Sequence, residues 1–288
     1  MKGSHRAFTL LELLVVLAII VVVSSTLLPV FYSARQAARA TVCLSNFGQV
    51  YNATQLYLSD YDDTYMPVNH QPATEPNSSN DRTWVQLILP YINNFGIFRC
   101  PADDNDRPRR EASFDSDLVP GDTYSQYYTA SLRTNVGFNF VYFSPIYEFD
   151  DRWDSRPRTS TEVSNPSQTY LFIDSVWALK EDGTPTGGGS WLVVPPCRYD
   201  LNEVDTFITD TQVNTVFTND ATGWDVGQIA SPLQYGGTWP WHRGRMTPVS
   251  ATGSARSLTS SQISDGCDLK PSWQGHIDKP DRYQWDLK

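Results

Sequence analysis

Catalytic signatures are the first thing this sequence lacks. No GxSxG, HExxH, GxxxxGK[ST] or GxGxxG pattern occurs, and only four histidines are present in 288 residues. The spacings that mark nucleophile elbows, zinc peptidase helices, phosphate loops and dinucleotide folds are therefore missing, which argues against an enzyme. Cysteine is equally sparse: Cys43, Cys100, Cys197 and Cys267 are scattered singly. With no CxxC pair, neither a zinc knuckle nor a thioredoxin-like motif is spelled out. Bases are in deficit as well, with 22 Lys and Arg against 32 Asp and Glu and a formal net charge of −10. Beyond residue 40 the balance is 18 bases to 31 acids. A body that acidic repels phosphate backbones, so a nucleic acid partner is not expected.

The least uniform absence is charge near the N-terminus. From Phe8 to Ser33 the only ionisable group with a formal charge is Glu12. The run is apolar on every face and long enough to cross a hydrocarbon layer as a helix of about 20 residues. Secretory signals carry shorter apolar regions, of about 7–15 residues. Lys2 and Arg6 precede the run, which by the positive-inside tendency places the N-terminus in the cytoplasm and the large body outside. A plain anchor accounts for the apolar residues but not for Glu12. A carboxylate costs about 2.5–3.5 kcal/mol at the centre of a spanning helix and less near its end, so it calls for a partner.

The residues Ala7-Phe8-Thr9-Leu10-Leu11-Glu12 resemble the processing signal of type IV prepilins. The resemblance implies cleavage of a seven-residue leader between Ala7 and Phe8 and methylation of the new Phe8 amine. It also implies pairing of Glu12 with the N-terminal amine of a neighbouring subunit during assembly. The family has Gly before the cut, where this sequence has Ala7. Pro29 stands where many pilins carry a helix-loosening proline, which lacks the N–H of a helical hydrogen bond. The partners implied are a prepilin peptidase, an assembly ATPase with its platform protein, and self or sibling pilins.

Helical spacing continues past the apolar run. Phe47, Val50, Tyr51, Thr54, Tyr57, Leu58 and Tyr61 form one stripe, which predicts that residues 34–61 prolong the helix and pack one face on a globular domain. From residue 62 to 288 Pro, Gly, Asn and Asp recur and apolar runs shorten. Trp84 to Ile92 predicts a short helix; Val136 to Phe143, Thr169 to Trp177 and Ser190 to Val194 predict strands. Segments 69–82, 103–123 and 150–168 are expected to be loops. The expected fold is α+β and pilin-like: a long N-terminal helix on an antiparallel sheet with long loops.

A second resemblance covers the body. Cys43-x-x-Asn46-x-x-Gln49, Phe98-Arg99-Cys100-Pro101, and Asn165-Pro166-Ser167 leading into Leu171-Phe172-Ile173-Asp174 are similar to bacterial pseudopilin-like proteins. Those proteins carry a processing-associated domain named for a His, nine residues, then Asp-Gly. Here His242 is followed after nine residues by Thr252-Gly253, so the Asp is replaced. A hairpin is expected there, Met246 to Ala251 and Ser254 to Thr259, with Gly253 supplying a positive φ.

Other sites can be weighed from residue type alone. Four cysteines in a domain that leaves the cytoplasm suit one or two disulfides, and three full pairings exist. Asp103, Asp104 and Asp106 offer hard oxygen ligands for calcium but lack EF-hand spacing, so a solvated turn is the simpler expectation. His242, beside Trp239 and Trp241, is either a ligand or base, or a hydrogen-bonder at a hairpin edge. Asp60, Asp62 and Asp63 oppose the dipole at the helix end and call for a cation or Arg partner. Nine tryptophans suit core and loop anchors better than a sugar-binding face. The functional expectation is a structural filament subunit of a type IV pilus or type II secretion pseudopilus, anchored once in the inner membrane. Two competing readings are a surface adhesin displayed on a pilin stem and a membrane-tethered enzyme.

Overall fold

The computed structural model describes residues 8–70, 82–92, 94–104, 131–149, 152–177, 184–185, 187–193, 195, 197–198, 238–268 and 275–287. Its first element, α1 (Leu10–Asp60), is a single helix of 51 residues, about 76 Å long at 1.5 Å per residue. Thr9 caps it: the Thr9 side chain accepts from the Glu12 N–H while the Glu12 carboxylate accepts from the Thr9 N–H. This reciprocal pair satisfies two helix-end donors. The helix continues through Pro29. In the turn before the proline, the Ser25 and Thr26 hydroxyls bond back to the carbonyls of Val22 and Val23, a local pattern that eases a helix past a missing N–H.

The far end of α1 stops for a local reason. Asp62 and Asp63 adopt φ of 52° and 57°, a left-handed region that short polar side chains tolerate. The Asp63 N–H reaches back to the Leu58 carbonyl at 2.9 Å, closing the last turn as a Schellman-type motif does. The acids at this end thus act as a stop signal, and Asp60 accepts the Tyr91 hydroxyl at 2.6 Å.

Strands are short and numerous. They comprise β1 (Asn69–His70), β2 (Arg82–Thr83), β3 (Val136–Asn139), β4 (Ile146–Phe149), β5 (Arg152–Ser155), β6 (Tyr170–Asp174), β7 (Leu192–Val193), β8 (Cys197–Arg198), β9 (Arg245–Met246), β10 (Val249–Ser250), β11 (Leu258–Thr259), β12 (Cys267–Asp268) and β13 (Gly275–Ile277). Helix α2 (Trp84–Ile92) falls where the apolar face of that segment predicts it. Segments expected to be loops at 69–82 and 150–168 contribute β1, β2 and β5.

The central sheet has the order β10-β6-β3-β7. β6 lies between β3 and β10, antiparallel to both, with Phe172 opposite Phe138 and Val249. All five β6 residues are buried, as befits a strand covered on both faces. The expected antiparallel pairing holds through β10-β6-β3, and parallel pairings add to it: β7 runs parallel to β3, and in a separate sheet β13 runs parallel to β8. The expected strand from Val136 to Phe143 also ends early. Asn139 turns its side-chain amide onto the Tyr170 and Trp285 carbonyls at 2.9 and 2.8 Å, and Phe140–Phe143 form one helical turn, α3. Helix α4 (Ser260–Ile263) is equally short.

The core is aromatic. Trp84 packs against Phe98, Phe138 and Phe172 with ring centroids 5.1–5.9 Å apart, and its indole N–H donates to the Trp191 carbonyl at 2.5 Å. Trp84 and Trp285 are fully buried, and Trp191 and Trp241 nearly so; these four are structural anchors. The second half of α1 closes the core with Phe47, Val50, Ala53, Thr54, Tyr57 and Leu58. Tyr61, read as part of that stripe, is 52% exposed and stacks on Tyr57 at 4.1 Å.

Candidate functional site

Among the described residues, two places carry features beyond folding, and both involve α1. The first is its N-terminal half. Every large apolar residue from Phe8 to Tyr32 is 46–77% exposed. The helix is long and apolar enough to cross a membrane. Each such side chain is worth roughly 1.5–3 kcal/mol when removed from water, so the stretch demands lipid or other subunits around it. Glu12 is the only charge there. Its carboxylate receives the Thr9 N–H and hydroxyl, each at 2.9 Å and both on Oε2. Phe8 is 77% exposed, while Ala7 and the rest of the leader lie outside the described residues.

The second place is where the helix enters the body. Cys43 is the first fully buried residue of α1. Its sulfur lies 2.7 Å from the Cys100 sulfur and 4.0 Å from Asp174 Oδ1. His242 Nε2 is 3.6 Å from the Cys100 sulfur and 3.9 Å from Asp174 Oδ1. The four donor atoms all lie within 4.8 Å of one another, and all four residues are buried.

Each member is positioned by a different element. Cys100 follows a 3₁₀ turn, Phe95–Phe98, and its N–H donates to Asn135 Oδ1 at 3.0 Å. Asn135 is steadied in turn by Asp103, whose Oδ2 accepts the Asn135 amide at 3.0 Å and the Gly188 N–H at 2.7 Å. Asp174 ends β6, and its Oδ2 accepts the Thr247 N–H at 2.6 Å. His242 opens a tight turn, with reciprocal backbone bonds to Arg245 at 3.1 and 3.2 Å. Arg243 and Gly244 between them hold φ of 56° and 77°, the pair of positive values a type I′ hairpin requires.

Electrostatics follow from this packing. Burial pushes the Asp174 carboxyl up to about 8, and the Cys100 charge adds to it, against the opposing pull of His242 and the Thr247 N–H. Burial also raises the Cys100 thiol, but hydrogen bonds from Cys43 and His242, the His242 charge and the Ala102 N–H outweigh it and bring it down to about 6. Cys43 moves the other way, raised by its hydrogen bond to Cys100, by burial and by the Asp174 charge. Cys100 is therefore the more acidic thiol of the two. Burial lowers His242, yet Cys100 and Asp174 hold it above its ordinary value.

The remaining predicted residues distribute differently. Asp103 is 2% exposed and faces inward. Asp104 forms a two-pronged ion pair with Arg39 on α1, at 2.6 and 2.9 Å. Asp106 lies outside the described residues. The first two acids therefore have separate protein partners. Cys267 is disulfide-bonded and sits on β12; β13 separates that strand from β8, which carries Cys197. Gly253 has φ +80°, and a Cβ built there would lie 2.4 Å from the Tyr51 ring, so the hairpin turn docks directly on α1.

Asp174 is the functional candidate that residue type and spacing do not single out. The signal for it is indirect: Cys43, Cys100, Asp174 and His242 each sit in a different phrase of the body's resemblance.

Two family models match the chain. Residues 2–28 match the prokaryotic N-terminal methylation motif, and residues 32–96 match a protein of unknown function, DUF1559. The chain thus carries a prepilin-type methylation motif ahead of a DUF1559 segment, on an α+β pilin-like architecture. No curated protein and no solved structure matches it.

Proposed function

We propose that this protein is a structural filament subunit, assembled into a type IV pilus or type II secretion pseudopilus through the first half of α1. The observation that carries the reading is the unpacked stem: an apolar surface on all sides, interrupted by one carboxylate. Before assembly the stem sits in the membrane, with Lys2 and Arg6 on the cytoplasmic side and the body outside. Leu10 to Tyr32 rises about 34 Å, enough for a hydrocarbon layer of about 30 Å. Prepilin peptidase cuts between Ala7 and Phe8 and methylates Phe8. The assembly ATPase and platform protein then move the stem from lipid into a bundle of identical or sibling stems.

Glu12 sets the register in this scheme. Its own Thr9 occupies Oε2, which leaves Oε1 for the amine of a neighbouring Phe8. Two charges in a low-dielectric bundle each need the other, so subunits that slip by a turn leave both unpaired. The test is Glu12→Ala in the native host. Membrane insertion and Phe8 methylation are expected to persist, while incorporation into sheared filaments falls to background. Normal filaments from that variant, or mass spectrometry showing a mature start other than Phe8, would overturn the proposal.

A further inference from the structure

We propose that Cys43, Cys100, Asp174 and His242 form a site for one zinc-type divalent cation, which fastens the stem helix to the body. The inference is independent of whether the chain assembles into filaments. Two thiolates, one imidazole and one carboxylate are a donor set suited to tetrahedral zinc. With metal–ligand bonds of about 2.0–2.3 Å, tetrahedral donors stand about 3.3–3.8 Å apart. The contacts of 3.6, 3.9 and 4.0 Å among sulfur, imidazole and carboxylate lie close to that spacing. The two sulfurs, at 2.7 Å, have to open by about 1 Å to reach it.

A disulfide between Cys43 and Cys100 is the competing use of these residues, and Asp174 argues against it. Asp174 is 0% exposed, and Oδ2 already accepts the Thr247 N–H. For Oδ1 the described hydrogen bond is the 4.0 Å contact from the Cys43 thiol. A disulfide removes that donor and leaves a fully buried carboxylate oxygen facing an uncharged sulfur, with His242 at 3.9 Å. A cation at the centre of the four donors satisfies Oδ1, both sulfurs and Nε2 together. The surrounding shell suits ligation too: Asn135, held by Asp103, fixes the Cys100 backbone. Such outer contacts orient ligands and tune their basicity.

The placement gives the ion a structural task. Three ligands belong to the body and one to α1, at the first residue of the stem that is fully buried. Arg39–Asp104 and Arg243–Ser33 lie on the exposed side of the same junction. Metal binding at such a closed site couples directly to folding.

The full-length protein, purified in mild detergent after anaerobic reduction and dialysed against zinc sulfate, tests the assignment. Elemental analysis is expected to find about one zinc per chain, as a closed structural site requires. Cys43 and Cys100 should resist alkylation until a chelator is added. Replacing zinc with cobalt(II) should produce thiolate-to-cobalt charge-transfer bands and tetrahedral d–d bands. His242→Ala should lose at least ten-fold in zinc affinity, and His242→Cys, which restores a fourth donor, should regain both metal and cobalt spectrum. The last variant separates ligand loss from misfolding. A wild-type protein that stays metal-free, a Cys43–Cys100 disulfide that persists in protein isolated under oxidising conditions with zinc present, or unchanged zinc affinity in His242→Ala would each overturn the site.

Discussion

Gly253→Ala puts the docking of stem and body to a quantitative test. At φ +80° a residue with a Cβ pays about 1–2 kcal/mol. The added methyl also meets Tyr51, at 2.4 Å from Cε1, 2.5 Å from Cδ1 and 2.9 Å from Cζ. Tyr51 is packed against the core cluster from α1, so the ring cannot swing away freely, and overpacking of this kind costs about 1–3 kcal/mol. Together the two effects predict a loss of about 2–5 kcal/mol. Gly244 supplies the control, because its φ is +77° and no heavy atom lies within 4 Å of its would-be Cβ. Gly244→Ala should therefore cost only the conformational part, about 1–2 kcal/mol. The assay is urea unfolding of full-length protein in mild detergent, followed by tryptophan fluorescence. With a slope of about 2 kcal/mol/M, Gly253→Ala should lower the midpoint by about 1–2.5 M and Gly244→Ala by less than about 1 M. Adding Tyr51→Ala should recover the steric part as a coupling energy between the two positions. Equal losses at the two glycines, or no coupling to Tyr51, would refute the claim that this turn abuts the stem.

Other outcomes follow from single features. Gly48→Ala, in α1 with nothing within 4 Å of the new methyl, should stabilise the protein by about 0.5–1 kcal/mol in the same unfolding assay. Trp84→Phe removes the indole donor to Trp191 and part of the largest buried ring; the loss should be about 2–4 kcal/mol, read as a lower thermal midpoint. Arg39→Ala breaks the ion pair to Asp104, whose side chain is 66% exposed; the cost should stay within about 1 kcal/mol and shrink further in high salt. Cys267→Ser removes a disulfide and should cost about 2–4 kcal/mol, checked by thermal unfolding under non-reducing conditions.

How legible each feature is in the amino-acid sequence depends on how local its causes are. The stem is legible because its signals are contiguous: 26 residues with one charge, a Thr three places before a Glu, and an i, i+3, i+4 stripe from Phe47 onward. Helix hydrogen bonds join residues four apart, so composition and spacing within a short window decide the element. The same holds for α2 and for the turn at Gly253. The body is harder to read, because strands of two to five residues carry too few positions for alternation to show. Only partners across the sheet make β3 pair with β6 and β7, and only the Tyr170 and Trp285 carbonyls draw Asn139 out of the strand.

The sequence by itself thus determined an apolar stem with one carboxylate, an amphipathic continuation and an acidic α+β body. Tertiary structure alone decided that Cys43, Cys100, Asp174 and His242 meet. Cys43 and Cys100 stand 57 residues apart and Cys100 and His242 142 apart, distances at which spacing carries no geometric information. Their meeting depends on α1 laying its buried face on the core, β6 ending beside β3, and a two-residue turn aiming His242 inward. Each of those conditions is set by packing of the whole body rather than by any neighbouring residue.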